Sequence, residues 1–237
     1  EDLWDLRKRE LVDQIQQHSP DSFGVQEATS VQIQYILETL PEYAYVGVGR
    51  DDGADQGEYS AIFYLKEKFE VVESNTFWLS DTPEVVSKAW DAALPRICTY
   101  AQLKAHSSGK EYWHFNTHFD HIGKIARNES AKLIVNQINQ MTKKGSAVVI
   151  TGDFNAQAEE APIHTIKKDF KDPLDALALE GPKGTFNAFV IGAALYRRID
   201  YIFYRGLRPL KYTHLDKTRA NGRWISDHLP VKLQLAY

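Results

Sequence analysis

Asp153 and Asn155 are the residues in this chain best placed to do chemistry. They lie in TGDFNA (Thr151 to Ala156), directly after the apolar run AVVI (Ala147 to Ile150). A buried strand reads straight into a polar corner. Side chains two apart on extended backbone point the same way, so a carboxylate and an amide are aimed at one spot from a rigid element. Such a pair suits a site that must hold a water or a metal beside a phosphorus atom. Alone, GDFN can also be a turn that closes a strand, so its meaning depends on what the rest of the chain supplies.

Four other segments supply polar groups at or near strand ends: VQE (Val25 to Glu27), NTH (Asn116 to His118), RRIDYIF (Arg197 to Phe203) and SDH (Ser226 to His228). Converging strand ends assemble a site from distant parts of a chain. Each segment also has a plainer reading. Glu27 can cap the following helix, where Thr29 also suits a helix start, and Asp227 can form a turn. Asp200 lies between Ile199 and Tyr201, where an unpaired carboxylate is costly to bury. It calls for a partner, and a histidine is a natural one. In HFNTHFDH (His114 to His121), His114, Asn116 and His118 alternate onto one strand face, with Asp120 and His121 following. That cluster could bind zinc, or His114 could simply pack in a sheet and His121 lie in a loop. His18, His106, His164 and His214 read as surface or loop histidines. Cys98 reads as a small buried residue.

The elements that must position these groups follow from periodicity. Helices are expected over 3–18, 31–40, 122–141 and 161–170. Strands are expected over 22–26, 43–48, 59–65, 69–79, 97–105, 112–118, 146–150, 199–204, 207–215 and 229–237. GRDDGADQGE (Gly49 to Glu58) is a polar, glycine-containing loop. Adjacent strands with few intervening helices argue for a mainly antiparallel arrangement, with helices covering the outer faces. The 237 residues, 43% hydrophobic and 25% charged, suit one globular domain. The net charge of -4, with no basic run, gives no sign of sequence-independent DNA binding. A single cysteine excludes an internal disulfide and a cysteine-based metal site. No stretch approaches the roughly 20 apolar residues of a membrane helix.

Taken in order, QE, TH, GDFN, ID and SDH resemble the endonuclease/exonuclease/phosphatase superfamily, the DNase I-like enzymes. The run from YSAIFY through FWLSDTPE and LPRICTYA to NTHFDHIG looks like a bacterial secreted-type branch. The resemblance implies a four-layer α/β sandwich of two packed, mainly antiparallel sheets flanked by helices. It also implies a divalent-metal phosphoesterase using Mg²⁺ or Mn²⁺. Carried over by position, Glu27 is the principal metal ligand, with Asp227 near the metal. Arg96 and His118 contact the scissile phosphate, Asp153 and Asn155 orient the attacking water and the phosphate, and Asp200 pairs with His228. Asp120, His121 and Arg127 are expected to line a substrate pocket particular to this branch.

Physical chemistry agrees with that assignment. Mg²⁺ takes oxygen ligands, often one or two carboxylates with water completing the shell. An Asp–His pair can handle the proton of a water, and Asp153 is the rival for that task. The expected substrate is a phosphodiester, with a sugar or lipid head-group monoester as the alternative. Nucleic acid, nucleotide, sugar phosphate and lipid head group all remain candidates. A catalytically inactive binding protein on the same fold is a further alternative. The chain is expected to be a monomer. Family members open with a strand bearing an asparagine, whereas EDLWDLRKRELV opens here in helical sequence. That strand is expected to lie outside the residues given. The branch favours the periplasm or secretion.

Overall fold

The computed structural model describes residues 2–237. Helix α1 (Trp4–His18) turns Val12 inward with Leu11 and Ile15 beside it. After the short strand β1 (Ser22–Gly24), helix α2 (Ser30–Thr39) buries Ile33 and Ile36 on the same cluster. Helix α2 starts at Thr29, whose backbone N–H donates to Gln32 Oε1 at 2.8 Å, as in a capping box. Thr29 and Gln32 therefore do the capping, and the Glu27 carboxylate has no part in it.

Strands β2 (Tyr43–Val46) and β3 (Ile62–Leu65) join β1 in an antiparallel sheet of order β1-β3-β2. Then come β4 (Phe69–Trp78), β5 (Ile97–Ala105), β6 (Glu111–His118), helix α3 (Lys124–Met141), β7 (Val148–Asp153) and helix α4 (Ala161–Ile166). The chain ends with β8 (Leu179–Glu180), β9 (Asp200–Arg205), β10 (Arg208–His214) and β11 (Val231–Ala236). A five-stranded sheet has the order β4-β5-β6-β7-β9, and a three-stranded one the order β11-β10-β8.

Three apolar clusters define four layers. Helices α1 and α2 cover the outer face of the β1-β3-β2 sheet through Val12, Ile33, Ile36 and Phe63. Ile62 meets Ala101 and Leu103 between the two sheets. Ala131, Ile134 and Ile138 of α3 and Ile163 of α4 cover the other face of the five-stranded sheet, on Phe115, Val148, Ile150 and Phe203. The α/β sandwich is thus present, with its strands divided into three hydrogen-bonded sheets rather than two. Strand β8 had no legible signal, because two residues are too few to show alternation.

One departure from the expected elements matters for the site. Strand β7 runs to Asp153, three residues beyond the apolar run, because it pairs with a strand on each side up to that residue. Gly152 permits this: a Cβ there would sit 2.3 Å from Thr117 O. Asn155 then lies past the strand at φ 46°, in the left-handed region. The expectation that Asp153 and Asn155 share one face of extended backbone fails. A reversal of the chain, not strand alternation, returns Asn155 toward Asp153.

A buried polar network ties the layers together. Asn116 Nδ2 donates to Val25 O (2.9 Å) and Ala61 O (3.0 Å), and its Oδ1 accepts from Gln26 Nε2 (2.7 Å) and Thr151 Oγ1 (2.8 Å). Gly24 must lack a side chain, since a Cβ would lie 2.2 Å from Asn116 Oδ1. His114 sits in the same seam, with its ring nitrogens 2.9 Å from the hydroxyls of Ser22 and Thr151. His214, expected at the surface, is also buried, held by Pro182 O and Tyr212 Oη.

Asn116→Leu takes the side-chain donor from Val25 O and the acceptor from Gln26 Nε2 and Thr151 Oγ1, while Ala61 O keeps Val25 N, and is expected to cost about 3 kcal/mol in urea unfolding. A loss below about 0.5 kcal/mol would remove Asn116 as the clasp between the sheets. Burial lowers the His114 pKa from 6.5 to about 3. The unfolded chain therefore binds a proton below pH 6.5 that the folded chain refuses, and stability falls as pH drops from 6.5 toward 3. His114 contributes a slope of about 1.4 kcal/mol per pH unit in that window. His118, also lowered by burial, acts in the same direction. His114→Gln is expected to remove one proton's worth of this slope, read from urea midpoints between pH 7 and 4.5.

Candidate active site

Sheet register brings the predicted residues into a row. Parallel pairing of β6 with β7 sets His118 opposite Asp153, and antiparallel pairing of β7 with β9 sets Asp153 opposite Asp200. Arg96 enters at the start of β5, beside the end of β6. Arg96, His118, Asp153 and Asp200 thus come from four neighbouring strands at one end of the five-stranded sheet. All four are buried, at 5%, 5%, 5% and 8% relative exposure, so their charges act on one another with little screening.

Arg96 organises one side of the row. Its Nη1 donates to His118 Nδ1 (2.9 Å), its Nη2 to His121 Nδ1 (3.0 Å), and its Nε faces Asp120 Oδ2 (3.4 Å). A guanidinium only donates, so Nδ1 of each histidine must accept. The proton of neutral His118 therefore sits on Nε2, 3.4 Å from Asp153 Oδ2. Burial, and then the charge of Arg96, hold His118 well below its ordinary pKa. Asn155 Nδ2 lies 3.2 Å from the same Nε2 and donates to Phe119 O (3.0 Å). Asp153 Oδ1 accepts from Asn155 N at 2.8 Å.

The other side belongs to His228. Its Nδ1 lies 3.0 and 2.9 Å from the two Asp200 oxygens, and its Nε2 lies 3.9 Å from Asp153 Oδ2. Burial alone would lower the His228 pKa. The charge and hydrogen bond of Asp200, with Asp153 and Asp227 adding to them, reverse this and raise it above 6.5. Asp153 moves up from the carboxylate range through its own burial and the neighbouring charge of Asp200. Among the described residues, Asp153, Asp200 and His228 form the one group of three potential metal ligands within 4.8 Å of one another. Both Asp200 oxygens already face His228 Nδ1.

Glu27 sits at φ 59°, past β1, with its carboxylate 60% exposed and Oε1 3.9 Å from His118 Nε2. Partial desolvation by the surrounding cleft, then Glu58 and Asp227, push its carboxyl upward. Asp227 is placed through its backbone, whose carbonyl accepts from Asn187 N at 2.8 Å.

The residues expected to line a branch-specific pocket differ in exposure. Asp120 is 1% exposed, and its Oδ1 accepts from Ile122 N (3.0 Å) and Gly123 N (2.7 Å). Arg127 is buried and donates to Asp120 O at 3.0 Å. Both brace the loop that holds Asp120 beside Arg96. His121 alone of the three is exposed. The zinc reading of HFNTHFDH loses His114, whose two nitrogens are engaged by hydroxyls inside the core.

Sequence reasoning missed several supports. Thr185 Oγ1 accepts from Ile199 N (3.1 Å) and Asp200 N (3.2 Å), while its carbonyl accepts from Leu229 N (2.7 Å). Asn187 donates to Ser226 O at 2.9 Å, and Phe186 stacks edge-on to His228 with centroids 5.0 Å apart. GTFN (Gly184 to Asn187) has no strand periodicity, so only its polar residues beside an aromatic could have drawn notice. Arg50 and Glu58 join Glu27, Arg96 and His118 around a small hollow at the row's end. A larger hollow lies at the opposite end of β9, lined by Lys171, Tyr204, Arg205, Arg208 and Tyr237.

Fold and site together define a DNase I-like hydrolase of phosphoric esters. The chain belongs to the endonuclease/exonuclease/phosphatase family, whose sequence profile matches residues 2–228. A mannosyl-6-phosphatase from Bacteroides thetaiotaomicron VPI-5482 is 40% identical, with a TM-score of 0.94 over 100% of this chain and 92% of that one. An endonuclease/exonuclease/phosphatase from Bacteroides vulgatus is 37% identical, with a TM-score of 0.92 over 98% of this chain and 90% of that one. TDP2 of D. rerio, solved with a single-strand DNA product, is 20% identical at a TM-score of 0.77 over 98% of this chain and 92% of that one, and shares the fold. No helix among the described residues is long and apolar enough to cross a membrane.

Asp200→Asn removes the charge that holds the His228 proton. The His228 titration midpoint, followed by NMR of the imidazole carbons, is expected to fall by at least about one unit. An unchanged midpoint would exclude Asp200 as the group that sets the charge of His228.

Proposed function

We propose that this chain is a divalent-metal-dependent phosphatase acting on a sugar phosphate monoester. The row Arg96–His118–Asp153–Asp200, closed by His228, is the observation that carries the reading of phosphate hydrolysis. The sugar monoester, rather than the phosphodiester expected from sequence, is favoured by the mannosyl-6-phosphatase that is 40% identical across the whole chain.

A divalent cation fits the residues present. Glu27, Glu58 and Asp227 bring negative charge to the cleft, and the latter two add to desolvation in raising the Glu27 carboxyl. Oxygen donors of this kind suit Mg²⁺ or Mn²⁺. Glu27 and Asp227 would hold the ion, which supplies charge neutralisation at the phosphate when bound.

The chain's own residues do the rest. Asp153, with a carboxyl raised toward neutrality, accepts the proton of the attacking water. Asn155 holds that carboxylate through its backbone N–H. Arg96 and the Nε2–H of His118 donate to phosphate oxygens as charge builds. His228, kept protonated by Asp200, presents a cation on the far side of Asp153. Burial of the row strengthens each of these interactions.

The test is release of inorganic phosphate from mannose 6-phosphate by protein stripped with EDTA and reloaded with Mg²⁺ or Mn²⁺. Hydrolysis of bis-(p-nitrophenyl) phosphate runs alongside. Metal-dependent release from the sugar phosphate is expected, with Asp153→Ala and His228→Ala each lowering kcat by about 10²–10⁴. Turnover of the diester alone would restore the phosphodiester reading. No turnover with any metal would leave a binding protein on this fold.

A further inference from the structure

Of the loop Gly49 to Glu58 only Glu58 enters the reading above, yet the whole loop is tightly hydrogen-bonded. Gly49 N donates to Ala54 O (2.9 Å), Arg50 N to Glu58 O (3.1 Å) and Asp51 N to Gln56 O (3.1 Å). Asp52 Oδ1 accepts from Ala54 N (2.8 Å) and Gln56 N (3.0 Å). The loop is also fastened to the sheet, because the buried Trp78 Nε1 donates to Arg50 O at 2.8 Å. Such a loop fixes the position of one side chain, and that side chain is Arg50.

Arg50 is 8% exposed, with Asp51 Oδ1 3.7 Å from its Nε, beyond hydrogen-bond reach. Its Nη1 donates to Glu58 Oε2 at 2.5 Å, while Nε is buried with no acceptor among the described residues. A buried N–H without an acceptor is costly. The guanidinium lines the same hollow as Arg96, Glu27 and His118, and Tyr59 and Ile97 also line it. Two like charges have been brought to one small space, near enough that the charge of Arg50 bears on both Arg96 and His118. Glu58 and Asp51 beside Arg50 and Asp120 beside Arg96 offset part of that repulsion, and an anion with several acceptor oxygens would engage the N–H groups they leave over.

We propose that Arg50 and Arg96 form a double-guanidinium subsite for the terminal oxygens of a phosphate monoester, selecting monoesters over diesters. This rests on the phosphatase reading above and adds its specificity determinant. A monoester dianion has three terminal oxygens and can offer acceptors to both forks. A diester has two and carries one charge, so it cannot fill both forks equally. Glu58 holds Arg50 in place between turnovers.

The experiment compares wild type with Arg50→Ala and Arg50→Lys. kcat/KM is measured for p-nitrophenyl phosphate and for bis-(p-nitrophenyl) phosphate, and inorganic phosphate is titrated calorimetrically. Arg50→Ala is expected to lower the monoester-to-diester ratio of kcat/KM by roughly 30-fold and to weaken phosphate binding by at least about tenfold. Arg50→Lys, which keeps the charge and loses the fork, is expected to recover part of both. Equal loss on the two substrates, or an unchanged Kd for phosphate, would overturn the proposal. If wild type hydrolyses neither of these nor mannose 6-phosphate, the phosphatase reading fails, and the phosphate titration still decides the subsite. Circular dichroism melts check that Arg50→Ala is folded. If it is not, the Arg50→Lys ratio and Kd decide, and wild-type values in both refute the subsite.

Discussion

The buried amide of Asn116 is the interaction on which the rest depends. One side chain makes four hydrogen bonds: two to backbone carbonyls across the layer boundary, one to Gln26, and one to Thr151 of the next strand. Those partners flank the residues that matter. Gln26 precedes Glu27, Asn116 lies two residues before His118, and Thr151 lies two before Asp153. Apolar contacts hold the layers together, but they are non-directional. A fully satisfied polar network selects one register among several that would bury similar area. The cleft thus inherits its geometry from a clasp one turn of the pleat below it.

Above the clasp, the site is a gradient of charge. Arg96 lies at one end, with a carboxylate, Asp120, braced behind it by backbone N–H groups. His118 beside it is kept neutral, with its proton directed to Nε2 by the arginine. Asp153 stands in the middle, and His228 beyond it is kept charged by Asp200. Two histidines less than 4 Å from one carboxylate oxygen are therefore held in opposite protonation states. Burial supplies the strength, and the identity of the nearest fixed charge supplies the sign.

Much of the frame was legible beforehand. Both N-terminal helices and the run β4 to β6 carry clear periodicity, and β5 matches its expected bounds, 97–105. Asp200 announced itself as a carboxylate in an apolar strand and has the histidine partner its burial requires. Other roles are tertiary. The bracing of the 120–123 loop by Asp120 and Arg127 has no signal in the sequence. Strand β7 was cut short because Thr151 to Asp153 are polar or glycine, yet pairing on both sides carries the strand through them. Arg50 lay in a loop whose composition says only that it turns.

Residue types and their order were sufficient to establish the family, the layered α/β architecture and the set of groups at the strand ends. Alternation, helical spacing and the cost of burying a charge are local properties, and the chain displays them directly. The tertiary structure alone decided which of those groups share a field. Register places His118, Asp153 and Asp200 in one row, a left-handed residue turns Asn155 back, and a fastened loop delivers Arg50 to Arg96. These depend on contacts between residues far apart in the chain, and such contacts leave no periodic trace in it.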